Sequence, residues 1–320
     1  MVRYDEEAAK RGQKYIEDRR GSGGRRGSRA SAGGLPMGKV GGIGGVIIAI
    51  LLAVLGGGAL NGGGGTSSGF DIGATGFDND AQVATDIENT GSTVDPDAET
   101  VEYMGFLMLD IQEVWTDYFQ KAGRQYQETK MVLFTDSVST GCGNATSAVG
   151  PFYCPAPGDN KVYIDLNFYD ELASKFGAPG DFAQAYVIAH EVGHHIQSVT
   201  GISDQVRQVQ SQNPGAKNEL SVRQELQADC LAGVWAYSAS QRTTTNGQPI
   251  IERGDISEGL GAAAAVGDDR IQSSAGMTVD PHTWTHGSAE ARENWFMVGF
   301  RSGDPEQCDT FAVSSDEVGL

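Results

Sequence analysis

The run Asp181-Phe182-Ala183-Gln184-Ala185-Tyr186-Val187-Ile188-Ala189-His190-Glu191-Val192-Gly193-His194 decides the reading of this 320-residue chain. Phe182, Ala185, Tyr186, Ala189, Val192 and Ile196 recur at helical spacing and form an apolar stripe. Ala178-Pro179-Gly180 breaks the chain just before it, and Asp181 is expected to cap the helix. Residues four apart share a helix face, so His190 and His194 can turn ring nitrogens to one metal ion. Glu191 is then placed to take a proton from water activated by that metal. Two core histidines satisfied by hydrogen bonds are the plainer alternative. His195 lies about 100° round the helix from His194 and reads as a bystander or a supporting group.

Catalytic zinc needs a third protein ligand and one position left for water. A continuation with Gly and a third His is missing, because Gln197 and Thr200 stand at those places. A second helical run, about 220–239, carries Glu225 and Asp229 four residues apart on one face. That spacing suits Glu225 as a metal ligand and Asp229 as acceptor of a ligand histidine's spare N–H. Acidic pairs on helices are ordinarily solvated, but this helix also carries Leu226, Cys230, Leu231, Val234 and Trp235. Ala228, Ala232 and Gly233 are small enough to let it pack closely on the first helix.

His190-Glu191-x-x-His194 followed by Glu225-x-x-x-Asp229 resembles the gluzincin arrangement of metallopeptidases. Cys142-Gly143, Gly150 to Cys154, Val162 to Leu166, Phe176 to Tyr186, Gln227 to Cys230 and Cys308 to Phe311 resemble the bacterial neutral zinc metallopeptidases. The resemblance covers about residues 100–312. It implies one Zn2+ per chain, held by His190, His194 and Glu225, and hydrolysis of a peptide or protein substrate with Glu191 as general base. His286-Gly287-Ser288-Ala289-Glu290-Ala291-Arg292 is similar to the His-Pro-Ser/Thr-x-x-x-Arg stretch of integral-membrane and related gluzincins, with Gly287 where proline is usual. By that similarity His286 stabilises the substrate oxyanion, and Arg292 assists it or orients His286 or a ligand. The alternative from another class is a cell-surface binding or scaffold protein with a structural zinc site.

Charge is unevenly distributed. Residues 1–39 hold ten basic and five acidic residues, and the rest of the chain holds 13 and 37, for a net charge of −19. This acidity argues against nucleic-acid binding. Residues 1–39 read as a basic, disordered cytoplasmic leader, Gly/Ser/Arg-rich through 20–34. Residues 40–60 carry no charge and suit one transmembrane anchor, with a cleaved signal peptide as the rival. Residues 61–100 hold eight acids and no base and read as a solvated linker. The expected topology is single-pass, with a cytoplasmic N-terminus and an extracytoplasmic catalytic domain, secreted if 40–60 is removed.

The peptidase domain is expected over 101–312, followed by a disordered tail, 313–320. Four cysteines allow three pairings; proximity favours Cys142 with Cys154 and leaves Cys230 with Cys308. Disulfides suit an exported domain. Helices are expected at 101–126 and 255–271, and strands at 131–134 and 162–166. By resemblance to zincin-like folds, the second strand is the expected edge beside the active helix. The fold class is α+β, helix-dominated, with a small sheet.

Overall fold

The computed structural model describes residues 2–21, 95–174 and 177–320. In chain order the elements are α1 (Glu6–Gly12), β1 (Ile16–Asp18), α2 (Ala98–Lys121), β2 (Lys130–Phe134), β3 (Ser137–Thr140), β4 (Gly143–Thr146), β5 (Phe152–Cys154) and β6 (Lys161–Asp165). There follow α3 (Asn167–Ser174), α4 (Asp181–Val199), α5 (Ile202–Gln212), α6 (Lys217–Ser240), α7 (Arg253–Ala265), α8 (Asp268–Ser274), α9 (Ala289–Ser302) and α10 (Ser315–Val318). The class is helix-dominated α+β. The run 40–60 and residues 61–94 lie outside the described residues, and among the described residues no helix is long and apolar enough to cross a membrane.

Helix α4 is buried along most of its length because Phe182, Ala185, Tyr186, Ala189 and Val192 bring apolar groups to its neighbours at every turn. Its N-cap is Gly180, and Asp181 is its first residue. Helix α6 is buried almost continuously from Ser221 to Ala236, which places polar residues such as Glu225 and Asp229 in the core. Its small residues serve two neighbours. Ala228 meets Gly193 of α4, while Gly233 lies against the Phe296 carbonyl of α9. Gly299 of α9 answers it: a Cβ there would sit 1.9 Å from the Cys230 carbonyl oxygen. Backbone therefore touches backbone where α6 and α9 cross.

The four-stranded sheet runs β1-β2-β6-β5, with β1, β2 and β6 parallel and β5 antiparallel. The strand at 162–166 is thus interior, and β5 takes the edge instead. The two Tyr163-facing neighbours show why: β6 pairs on one side with β2 (Val132↔Tyr163) and on the other with β5 (Phe152↔Tyr163). Strands β3 and β4 form a separate hairpin, joined to β5 by the Cys142–Cys154 disulfide. The second disulfide, Cys230–Cys308, ties α6 to the C-terminal segment.

Four further expectations need correction. Residues 2–21 are no disordered leader: α1 packs on α2, and β1 joins β2 in register Ile16↔Met131 to Asp18↔Leu133. Residues 313–320 are ordered too, because α10 is closed by a Ser314/Glu317 capping box and buries Val318, whose carbonyl accepts from Trp295 Nε1 at 3.3 Å. The first long helix stops at Lys121, short of 126, and Gly123 follows with φ 69°. The helix expected over 255–271 is two, since Gly267 adopts extended backbone (ψ 140°) and restarts the chain as α8.

Gly299→Ala should destabilise the fold by about 3 kcal/mol, since the inserted methyl forces two backbones apart. Equilibrium urea unfolding of the variant beside the parent chain measures this.

Candidate metal centre

Helices α4 and α6 bring His190, His194 and Glu225 to one point, with one ligand atom of each within 4.8 Å of the others. His190 Nε2 lies 3.2 Å from Glu225 Oε2, and His194 Nε2 lies 3.5 Å from Glu225 Oε1. Donor atoms on a tetrahedral zinc with bonds near 2.0–2.1 Å stand about 3.3 Å apart, so the set fits that ion. The other ring nitrogens are engaged elsewhere. Nδ1–H of His190 donates to Asp229 Oδ1 at 2.7 Å, and Nδ1–H of His194 donates to Gln197 Oε1 at 2.9 Å. Gln197 is itself fixed, its Nε2 donating to the Gln224 carbonyl and Gln227 Oε1. Each imidazole is thereby held in the tautomer that presents Nε2 to the centre.

Burial opposes charge on Glu225, but His194 and His190 beside it, with His286 further off, hold its carboxyl well below the usual range. Burial likewise opposes a proton on His190, yet the carboxylates of Asp229 and Glu225 carry its pKa up to about 10. Glu191 is buried on the same helix, and burial raises its carboxyl against the lowering influence of His194 and His190. A carboxylate shifted this way is a stronger base than one in water.

Asp229 is fully buried, and four donors converge on it. Tyr186 Oη donates to Oδ1 at 2.5 Å, joining His190 there; Arg292 donates from Nε to Oδ2 at 2.8 Å and from Nη2 to Oδ1 at 3.0 Å. Arg292 also donates to Tyr186 Oη and to the Val266 carbonyl. Burial would raise the Asp229 carboxyl, but Arg292 and His190 keep it lowered. Arg292 therefore sits behind His190 and bears on a ligand through Asp229.

His286 is buried, on α9's approach to the same centre. Asp268 holds it from behind: Oδ2 accepts from the amides of Thr285, His286 and Gly287 at 2.8, 2.7 and 3.0 Å, and Oδ1 lies 3.2 Å from His286 Nδ1. Burial opposes this charge, and the His286 contacts overcome it, lowering the Asp268 carboxyl. Gly287 has φ 93° and uses its N–H, and proline satisfies neither requirement. Ser288 caps α9 through Ala291 N–H.

The family described as "Putative neutral zinc metallopeptidase" matches residues 7–311. The chain belongs to this family. "Uncharacterized protein YpfJ" of Escherichia coli K12 is 42% identical over 300 residues, spanning 93% of this chain and 96% of that protein. "Uncharacterized protein Rv2575" of Mycobacterium tuberculosis H37Rv is 48% identical over 194 residues, 59% of this chain and 64% of its own. No solved structure matches the chain. The neutral zinc metallopeptidase match begins inside α1, so the family pattern includes the N-terminal segment that composition alone assigns to a leader.

Sequence reasoning missed three residues of this site. Gln197 stands one turn past His194, and that spacing was its available signal. Tyr186 was counted with the apolar stripe although its hydroxyl reaches Asp229. Asp268 carries no local signal, being 18 positions from the histidine it holds. His195 serves the fold: Nε2–H donates to the Gln127 carbonyl at 2.6 Å, and Nδ1 accepts from Tyr153 Oη at 3.0 Å. His282 is exposed and joins none of this.

Two outcomes follow from these contacts. Asp229→Ala should weaken zinc binding about 10–100-fold, read by competition with a chromophoric chelator. His195 has its folded pKa depressed to about 4 by burial. Between its unfolded value near 6.5 and 4, the unfolded chain binds the extra proton, so stability present above 6.5 is lost on acidification. Urea unfolding should show a loss of about 2 kcal/mol from pH 7 to pH 5 from this residue, absent in His195→Gln.

Proposed function

We propose that the chain is a zinc-dependent peptidase acting outside the cytoplasm. The observation that carries this is the convergence of His190 Nε2, His194 Nε2 and Glu225, with Glu191 buried beside them and outside the ligand set. Zinc bound there supplies Lewis acidity, acidifying water and polarising a peptide carbonyl. Glu191 accepts the proton of the attacking water on its carboxylate and delivers it to the departing amine nitrogen. His286, pinned by Asp268, donates to the carbonyl oxygen as it gains charge. Asp229, Arg292 and Tyr186 keep His190 aimed throughout. The two disulfides support an oxidising, exported setting for the domain.

Purified full chain should hold about one zinc and cleave a denatured protein or peptide library. Glu191→Gln should keep the zinc and lower kcat about 10²-fold or more. Unchanged cleavage in that variant would remove Glu191 from the mechanism. Bound zinc with no cleavage by the parent chain would favour a structural zinc in a binding protein.

A further inference from the structure

We infer that residues 2–21 and the domain 95–320 lie on the same side of any membrane the chain meets. The inference rests on how the N-terminal segment is built into the fold, and it is independent of the peptidase reading.

Strand β1 hydrogen-bonds to β2 in the main sheet, and the ladder continues where Arg19 N–H donates to the Leu133 carbonyl at 2.8 Å. Glu17 reaches across β2 to Lys161 of β6 at 2.7 Å. Tyr15 Oη donates to Glu128 at 2.7 Å, and Gln13 Nε2 donates to the Val101 carbonyl at 3.1 Å. Val2, Ala9 and Tyr15 are 3%, 0% and 4% exposed, within the same core as α2, α4 and α6. At its start the segment crosses the far side of the domain, where Arg3 N–H donates to the Ile250 carbonyl and Asp5 accepts from Thr245. Burying a side chain such as Val contributes about 1.5–3 kcal/mol, and the segment does this at several places at once.

The points where the chain leaves and returns are also joined. The Arg20 guanidinium lies 2.6 Å from Asp95 and 2.7 Å from Asp97, besides pairing with Asp18. Residues 20 and 95 are thus tied directly to one another. Neighbouring strands stand about 4.8 Å apart, whereas a bilayer's hydrocarbon layer is about 30 Å thick. Two strands of one ladder cannot lie on opposite faces of that layer.

The described cysteines are all paired, which permits single thiol probes. Lys10→Cys on α1 and Lys121→Cys on α2 replace side chains 72% and 71% exposed. Each full-length variant, expressed in a bacterial host, is treated with a membrane-impermeant maleimide before and after permeabilisation. Equal labelling of the two positions in intact cells, whether both react or neither does, supports the inference. Labelling of one and protection of the other overturns it. A second measurement needs no membrane. Trypsin can cut purified full chain at Arg25, Arg26, Arg29 and Lys39, and native mass spectrometry follows the N-terminal fragment. Retention of that fragment on the domain is the expected result; its loss from a domain that stays folded overturns the inference.

Discussion

The buried ion pair between Asp229 and Arg292 is the constraint on which the rest of the centre depends. Each partner is nearly inaccessible, and each would be costly to leave alone in the core. Their pairing locks α6 to α9, and through His190 and Tyr186 it locks both to α4. The close crossing of α6 and α9 at Gly233 and Gly299 is what permits contact at this range. The geometry of the candidate metal centre is therefore set by packing some distance behind it.

Much of this was legible in residue order. The helix carrying His190 and His194 and the helix carrying Glu225 and Asp229 declare themselves by period and spacing, because local geometry alone puts those pairs on one face. What lay hidden depends on contacts distant in sequence. The segment Ile16-Glu17-Asp18 reads as charged leader, and it is a strand only because β2 offers it a parallel partner and Lys161 neutralises Glu17. Asp268 meets His286 only because the helix break at Gly267 restarts the chain there, a contact 18 positions away in sequence. Of the roles the resemblance offers Arg292, its contacts fit the orienting of a ligand, since Asp229 holds the guanidinium on the far side of His190.

The sheet shows the same limit. An apolar run such as Val162 to Leu166 identifies a strand but not its rank. Rank was decided by β5, three residues whose antiparallel pairing with β6 takes the edge position. His195 reads as a neighbour of the metal ligands and turns out to fasten α4 to the loop before β2 and to β5.

The Cys230–Cys308 disulfide also has a consequence for the order in which the protein matures. It closes a span of 78 residues, and cross-links of that reach lower the unfolded chain's entropy by about 4–5 kcal/mol in the loop-closure account. The half-bond beside Asp229 leaves the ribosome long before its partner, as does Asp229 before Arg292. A nascent chain thus holds His190, His194 and Glu225 while their scaffold still lacks its ionic and covalent locks. The ionic and covalent locks behind the candidate centre thus arrive later in synthesis than the residues they fasten.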